Sequence, residues 1–489
     1  MKYDVCVVGG GPAGSTAATL IAKAGYKVAL LEKEIFPRHQ IGESLLPATI
    51  VGICSILGIQ DKVYNASFYP KNGGTFIWGK SKQPWKFNFK QLDIEKVINQ
   101  KIDVRAFQVE RHKFDKILLD NSINNGVDVK QNCRVMNLLE ENDRIIGVQY
   151  MDEHSISHHI KAKYIIDASG NSSRIANYAG QRVHSKHFDN VAIYGYFLNG
   201  NRLPEEDKGN ILTEAFDKGW VWYIPLSDEL TSVGVVLDRK HTGPTAGKVE
   251  EIYYENLKKT TKVKEFLANA KRAECDMYSK LRVRLDYSYT TTKFWNPGLV
   301  LIGDAACFVD PVFSSGVHLA TFSALLAARA INSCLRGALT EELAFSEYEE
   351  RYRREYNKFY NFLLAFYDVE QEIEDYFWAA RKIIHSKDRD NYAFLKLISG
   401  CSSNEIHEIT KMQNFSDSRK ELSSVFDNSL PYKNENNQPN LGAEKFMCDL
   451  RSEIVGLQAS AAGLNIEQKN IIHKGLTLSD DKLSWDMAL

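Results

Sequence analysis

Short apolar runs open the chain and set its first fold signal. Residues 3–8 (YDVCVV) are apolar and β-branched, the pattern of a strand buried on both faces. A glycine run follows, then a helix-like stretch from Gly14 to Ala24 with Gly25 as its stop. Lys27–Leu31 (KVALL) predicts a second strand, which completes a βαβ unit. Further on, residues 113–124 predict a helix, and residues 145–151 and 163–167 predict strands, the latter closed by Ala168-Ser169-Gly170. Alternation over 189–199 and 231–239 predicts antiparallel strands of a second sheet. A strand at 299–302 runs into Gly303-Asp304, which is expected to open a helix, and a long helix is expected over about 315–336. Phe345, Tyr348, Tyr352, Tyr356, Phe359 and Leu363 recur at three- and four-residue steps and mark an amphipathic helix. Residues 415–445 read as a polar linker, and 446–489 are expected to add one more helix. The expected organisation is a core over 1–340 with an interleaved sheet, followed by a mostly helical region over 341–489.

Composition narrows the partners. Sixty-one Lys and Arg against 62 Asp and Glu leave a net charge of -1, so no global field favours nucleic acid or an anionic membrane. Eight scattered cysteines form no C-x-x-C pair, which argues against a zinc cluster or a disulfide framework and for a reducing, cytoplasmic setting. The longest charge-free run, Pro311 to Ala328, contains Pro311, Gly316 and His318 and fits a buried turn and helix better than a membrane span. The N-terminus does not read as a signal peptide.

Gly9-Gly10-Gly11-Pro12-Ala13-Gly14 satisfies G-x-G-x-x-G between a strand and a helix. Gly9 permits the tight turn, Gly11 lets backbone approach a pyrophosphate, and Gly14 allows close packing of helix on strand. Glu32 ends the second strand, where a carboxylate accepts hydrogen bonds from ribose hydroxyls. A solvated surface acid is the bland alternative for Glu32. The unit as a whole points to a dinucleotide.

Several segments beyond this unit resemble known flavoproteins. Gly303-Asp304, Val109-Glu110-Arg111 and Asp167-Ala168-Ser169-Gly170 look like the other signatures of the hydroxylase-like FAD fold. Trp220-Val221-Trp222-Tyr223-Ile224-Pro225 matches W-x-W-x-I-P, and Gly42-Glu43-Ser44-Leu45-Leu46-Pro47 matches G-E-S-L-L-P, both segments of flavin-dependent halogenases. Lys71-Asn72-Gly73-Gly74-Thr75-Phe76-Ile77-Trp78-Gly79 resembles their lysine-bearing loop, and Gly303–Pro311 with Ser314–His318 their flavin and halide segment. The chain is thus similar to the flavin-dependent halogenase family over about residues 1–370.

This resemblance implies an α/β protein: a doubly wound FAD domain of the hydroxylase-like type, a β-sheet substrate layer and a helical C-terminal extension. It implies FAD used as FADH2, with O2 and chloride or bromide as co-substrates. Flavin contacts are implied for Gly9, Gly11, Pro12, Ala13, Gly14, Glu32, Lys33, Arg38, Ser44, Arg111, Asp304, Gly316 and Val317. Asp304 would bind the ribityl chain; an N-cap role is compatible with this. Ser315 and Gly316 would hold the halide with backbone N–H groups.

In the family, hypohalous acid made at the flavin travels through a tunnel to a lysine, and the resemblance puts Lys71 in that role. By its local context alone, Lys71 would be an exposed residue of a Pro-Lys-Asn-Gly turn. Trp220 and Trp222 lie two apart and would share one strand face. With Ile224, Pro225 and Phe313 they would wall the tunnel and the substrate site, or else serve simply as core. An FAD monooxygenase or reductase of the same fold is the rival reading, but it has no need of Lys71 or of the tryptophan segment.

One departure bears on the substrate. Tryptophan-type members carry a glutamate three residues before the halide-site glycine, and this chain has Phe313 there. Phenols and pyrroles need less help from a carboxylate, because their own heteroatom feeds the ring. The expected substrate is therefore a small phenolic or pyrrolic compound, free or tethered to a carrier protein. Phe68, Tyr69, Phe76, Trp78, Trp85, Phe87 and Phe89 would line its pocket or form ordinary core. With no second nucleotide motif, a separate flavin reductase is the expected source of FADH2.

Overall fold

The computed structural model describes residues 3–92, 105–242, 247–275, 277–285, 288–403, 405–406 and 476–487. The apolar run at the N-terminus forms the strand Val5–Val8, every residue of it buried. It lies inside a six-stranded sheet, flanked on one side by Val28–Leu31 and on the other by Tyr164–Asp167, both parallel to it. Leu299–Leu301 extends the sheet beyond Tyr164–Asp167, and Asp128–Lys130 extends it beyond Val28–Leu31. Burial on both faces explains the lack of polar alternation in these strands. The helices Pro12–Lys23 and Gly316–Leu335 pack against each other on this sheet.

A second, eight-stranded sheet forms the other layer. Asn190–Leu198 pairs antiparallel with Leu230–Asp238, as the alternation predicted, and Leu230–Asp238 pairs in turn with Gly219–Pro225. The sheet continues through Ile211–Phe216 and Gly73–Ile77 to the edge strand Pro84–Asn88. Tyr69–Lys71 pairs instead with Ala106–Gln108 in a separate two-stranded ladder.

The amphipathic stretch forms one helix, Glu341–Phe366, and places all six of its periodic apolar residues in the core. The helices Ile373–Ile383 and Asp390–Ile398 follow. Together these elements bury the aromatic cluster of the second sheet. Phe76 stacks on Trp85 at 5.0 Å, Trp78 stacks on Phe366 at 4.7 Å, and Phe394 meets Phe87 at 5.5 Å and Phe377 at 4.9 Å. The cluster is therefore core between the sheet and the C-terminal helices. Phe68 and Tyr69 lie apart from it: Phe68 packs on Phe114, and the Tyr69 hydroxyl donates to Asp228.

Two expectations need correction. Gly303-Asp304 opens only a short 3-10 turn, Gly303–Ala305, followed by the strand Cys307–Phe308; the long helix starts at Gly316, close to where it was expected. Asp304 is therefore not its N-cap. At the C-terminus the helix expected over 446–489 is contradicted at its end, where Leu476–Leu478 and Trp485–Met487 pair as an antiparallel hairpin. Trp485 is buried there, and its backbone N–H donates to the Ser333 hydroxyl at 2.7 Å, which docks the hairpin on the helix Gly316–Leu335. Residues 407–475, which include the expected linker at 415–445, lie outside the described residues. Among the described residues no helix is long and apolar enough to cross a membrane.

Candidate active site

A cavity of about 690 Å³ runs along the C-terminal ends of the first sheet's strands and reaches the second sheet. Its outer end is lined by Gly9, Gly11, Pro12, Ala13, Glu32, Lys33 and Arg38. The helix Pro12–Lys23 begins here with Gly11 as N-cap, no side-chain cap and no acidic residue in its first turn. Its first N–H groups and the positive end of its dipole are thus left for an anion, as a pyrophosphate requires. Gly14 lies beneath the cavity wall, where a Cβ would stand 1.9 Å from the Gly9 carbonyl oxygen. Glu32 accepts hydrogen bonds from the N–H groups of Gly10 at 2.6 Å and Glu34 at 2.9 Å, which fixes its carboxylate at the strand end. Glu32→Ala should weaken FAD binding about ten-fold, the low end of the worth of one hydrogen bond to a charged group. Quenching of flavin fluorescence on titration measures it, and unchanged affinity would remove Glu32 from the ribose site.

The middle of the cavity is built by a network that the sequence did not reveal. Arg111 heads the helix Arg111–Asn124 and pairs with the buried Asp115 one turn on, at 2.7 Å. Asp115 also holds Arg38 at 2.9 Å. Arg111 donates to the Ile41 carbonyl at 2.6 Å and thereby ties down the loop leading into Gly42-Glu43-Ser44. The Val-Glu-Arg segment had marked Arg111, but for its partner Asp115 the i,i+4 spacing was the one available signal. Arg282 and Arg284, which also line the cavity, gave no signal at all.

Asp304, Gly316 and Val317 line the inner part, together with Ser44, Trp222 and Ile224. Burial raises the Asp304 carboxyl above its usual range, against the opposing charges of Arg284, Arg111 and Arg182. The helix Gly316–Leu335 points its N-terminus at this end, with Ser315 as N-cap and no acidic residue in the first turn. Ser315 itself is buried behind the cavity wall.

Lys71 does not sit in an exposed turn. It ends a strand and is 2% exposed. Its Nζ donates to the Leu45 carbonyl at 3.0 Å and lies 3.5 Å from the Ser314 hydroxyl and 5.7 Å from the centre of the Phe89 ring. Burial pulls its ammonium down to about 7, and no carboxylate among the described residues offsets this. Ser314 also lines the cavity, so one hydroxyl stands between the cavity and the lysine. Ser314 has a φ of 58°, a left-handed conformation that is uncommon for a residue with a side chain.

Trp220 and Trp222 share a strand face, with ring centres 6.0 Å apart, but serve different neighbours. Trp222 lines the cavity. Trp220 turns to the C-terminal helices, where its Nε1 donates to the Tyr367 hydroxyl at 2.8 Å. That hydroxyl donates to Asp310, whose carboxyl burial raises to about 6. Phe313 packs on Phe362 at 5.0 Å and Phe366 at 4.8 Å, and Pro225 is buried at the strand end outside the cavity lining.

Comparison with known proteins agrees with this geometry. The model of the family described as tryptophan halogenase matches residues 4–102 and 100–411. The chain belongs to this family of flavin-dependent halogenases. It is 36% identical over 78% of its length to a protein named tryptophan 2-halogenase from Chondromyces crocatus, covering 71% of that protein. It is 34% identical over 75% of its length to the 1H-pyrrole-2-carbonyl-[peptidyl-carrier protein] chlorinase of Pseudomonas fluorescens, covering 83% of it. Among solved structures, the myxobacterial chondrochloren halogenase CndH, an FAD-dependent halogenase, matches with a TM-score of 0.72 at 49% identity, over 84% of this chain and 97% of that one. The protein is thus an FAD-dependent halogenase with an α/β fold.

Proposed function

We propose that this halogenase takes FADH2, O2 and chloride or bromide, and passes the resulting hypohalous acid to Lys71 for transfer to an electron-rich phenolic or pyrrolic ring. When bound, the reduced flavin supplies the two electrons that, with O2, convert halide to hypohalous acid. The cavity fits that cofactor: an open helix N-terminus and Glu32 at one end, and buried Asp304 with the Gly316 helix start at the other.

One observation carries the reading. Lys71 is a buried amine, unpaired with any carboxylate among the described residues, 3.5 Å from a serine that faces the flavin cavity. Held near 7, a large fraction of it is neutral at physiological pH and is nucleophilic. A neutral Lys71 forms an N–X bond with hypohalous acid and releases water; the halogen then passes to the ring and a ring proton leaves. Trp222 and Ile224 close the cavity on the second sheet's side and keep the ring from the flavin. Phe313 offers no carboxylate to a ring, which favours substrates that carry their own electron-donating heteroatom. The carrier-bound pyrrole of one relative supports a tethered substrate, and a separate reductase would supply FADH2.

The test is mass spectrometry of reactions containing the protein, FAD, a flavin reductase, NADH, air, and chloride or bromide, with phenols, pyrroles and carrier-tethered pyrroles. Products with the halogen isotope pattern on phenols or pyrroles are expected. Halogenated free tryptophan with untouched phenols and pyrroles would overturn the substrate reading, and oxygenated products without halogen would overturn the relay.

A further inference from the structure

A chain of polar groups borders the cavity and takes no part in the lysine relay. Glu43 lines the cavity and is 2% exposed. Its Oε1 accepts a hydrogen bond from the Tyr196 hydroxyl at 2.9 Å, and its Oε2 forms no hydrogen bond among the described residues. The Tyr196 oxygen lies 2.7 Å from Nε2 of His39, a half-buried residue that also lines the cavity. Three titratable groups thus stand in hydrogen-bonding sequence: buried carboxyl, phenol, imidazole.

The reaction has a use for such a chain, on the reading that it consumes FADH2, O2 and halide. Replacing an aromatic C–H by C–X from a halide anion yields FAD and two waters, and the balance requires one proton from solvent per turnover. A carboxyl that gives up that proton while buried must be recharged by a defined route.

We propose that Glu43 is the proton donor of the inner cavity, recharged from solvent through Tyr196 and His39. In the step, the Glu43 O–H bond breaks and an O–H bond of a departing water forms. The Tyr196 hydroxyl then passes its proton to the carboxylate and takes another from the imidazole, which is refilled from outside. The charge balance around the route suits this. Burial pushes the Glu43 carboxyl up to about 7, with Glu110 adding to the effect, while Ser232, Tyr196 and Arg111 oppose it. Burial, then Arg282, Arg111, His112 and Arg38, hold His39 down at about 4, so its ring is neutral and carries one donor and one acceptor. Burial keeps Tyr196 protonated, and Tyr194 and Tyr278 pack beside it without extra charge.

The test pairs an activity readout with one that needs no turnover. Infrared difference spectra of the oxidised, FAD-loaded protein across neutral pH are expected to show a protonated carboxyl titrating near 7, absent in Glu43→Gln and moved upward in Tyr196→Phe. Halogenation of whichever ring the wild type accepts is expected to fall about 100-fold in Glu43→Gln at unchanged FAD affinity. Its alkaline decline, which follows loss of the Glu43 proton, should vanish in that variant. A carboxylate ionised throughout this range, or Glu43→Gln with wild-type turnover and pH profile, would overturn the proposal. If the wild type halogenates no phenol or pyrrole, the substrate reading fails, and the infrared titration still decides the state of Glu43.

Discussion

Lys71→Met is expected to lower halogenation by at least about a thousand-fold, within the range for a positioned proton-transfer or nucleophilic group, while FAD binding persists. The substitution keeps the apolar stem that fills the space beside Phe89 and removes only the nitrogen. Lys71→Arg should not restore activity, because a guanidinium stays charged and is not nucleophilic. The pH dependence follows from the same burial. With the amine held near 7, the nucleophilic neutral form grows as pH rises through 7, so turnover should rise on that limb. Opposed by the Glu43 limb, the wild-type profile should be bell-shaped about neutrality. The linkage sign is equally definite. Below pH 7 folding keeps a proton on Lys71 in a site that disfavours charge, a cost that fades only between about 7 and the usual lysine value as the folded form loses the proton. Lys71→Met should therefore stabilise the protein by several kcal/mol in mild acid and add nothing at strongly alkaline pH. Denaturant titration at the two extremes measures this, and a variant less stable than wild type in mild acid would contradict the burial of a poorly solvated amine.

Gly14→Ala is the second large effect. A methyl group there would stand 1.9 Å from the Gly9 carbonyl oxygen, a backbone atom that cannot rotate away. The helix must shift off the strand, at a cost of about 3 kcal/mol. Since the same shift moves the helix N-terminus from the cavity, FAD affinity should fall by about a hundred-fold. Gly25→Ala is the matched control for the chain: its φ of 92° strains the substitution, but nothing lies within 4 Å and the cavity is remote. It should lose some stability and keep its flavin. Visible absorbance of the purified proteins separates the two cases; a yellow, FAD-saturated Gly14→Ala protein would show that the close contact does not govern the site.

What could be read from the chain was what depends on neighbours in sequence. The strand at Val5–Val8, the glycine turn, the helix and Glu32 form one local unit whose geometry follows from residue type and spacing. The amphipathic helix Glu341–Phe366 was legible for the same reason, because its periodicity is intrinsic to the helix. Family motifs added Lys71, Trp222 and Gly316 as residues of interest. The tertiary structure alone decided what surrounds them. Lys71 reads as a turn lysine until Ser314, 243 residues away, and the Leu45 carbonyl close over it and remove its water. The two tryptophans look equivalent on their strand, yet one faces the cavity and the other Tyr367. The aromatic run beginning at Phe76 fits a pocket or a core equally well, and packing by Phe366 and Phe394 made it core. Glu43 stood inside a recognised motif without a role, because its partners Tyr196 and His39 reach it only through folding. Desolvation and long-range contact set the chemistry of these side chains, and neither is written in local spacing.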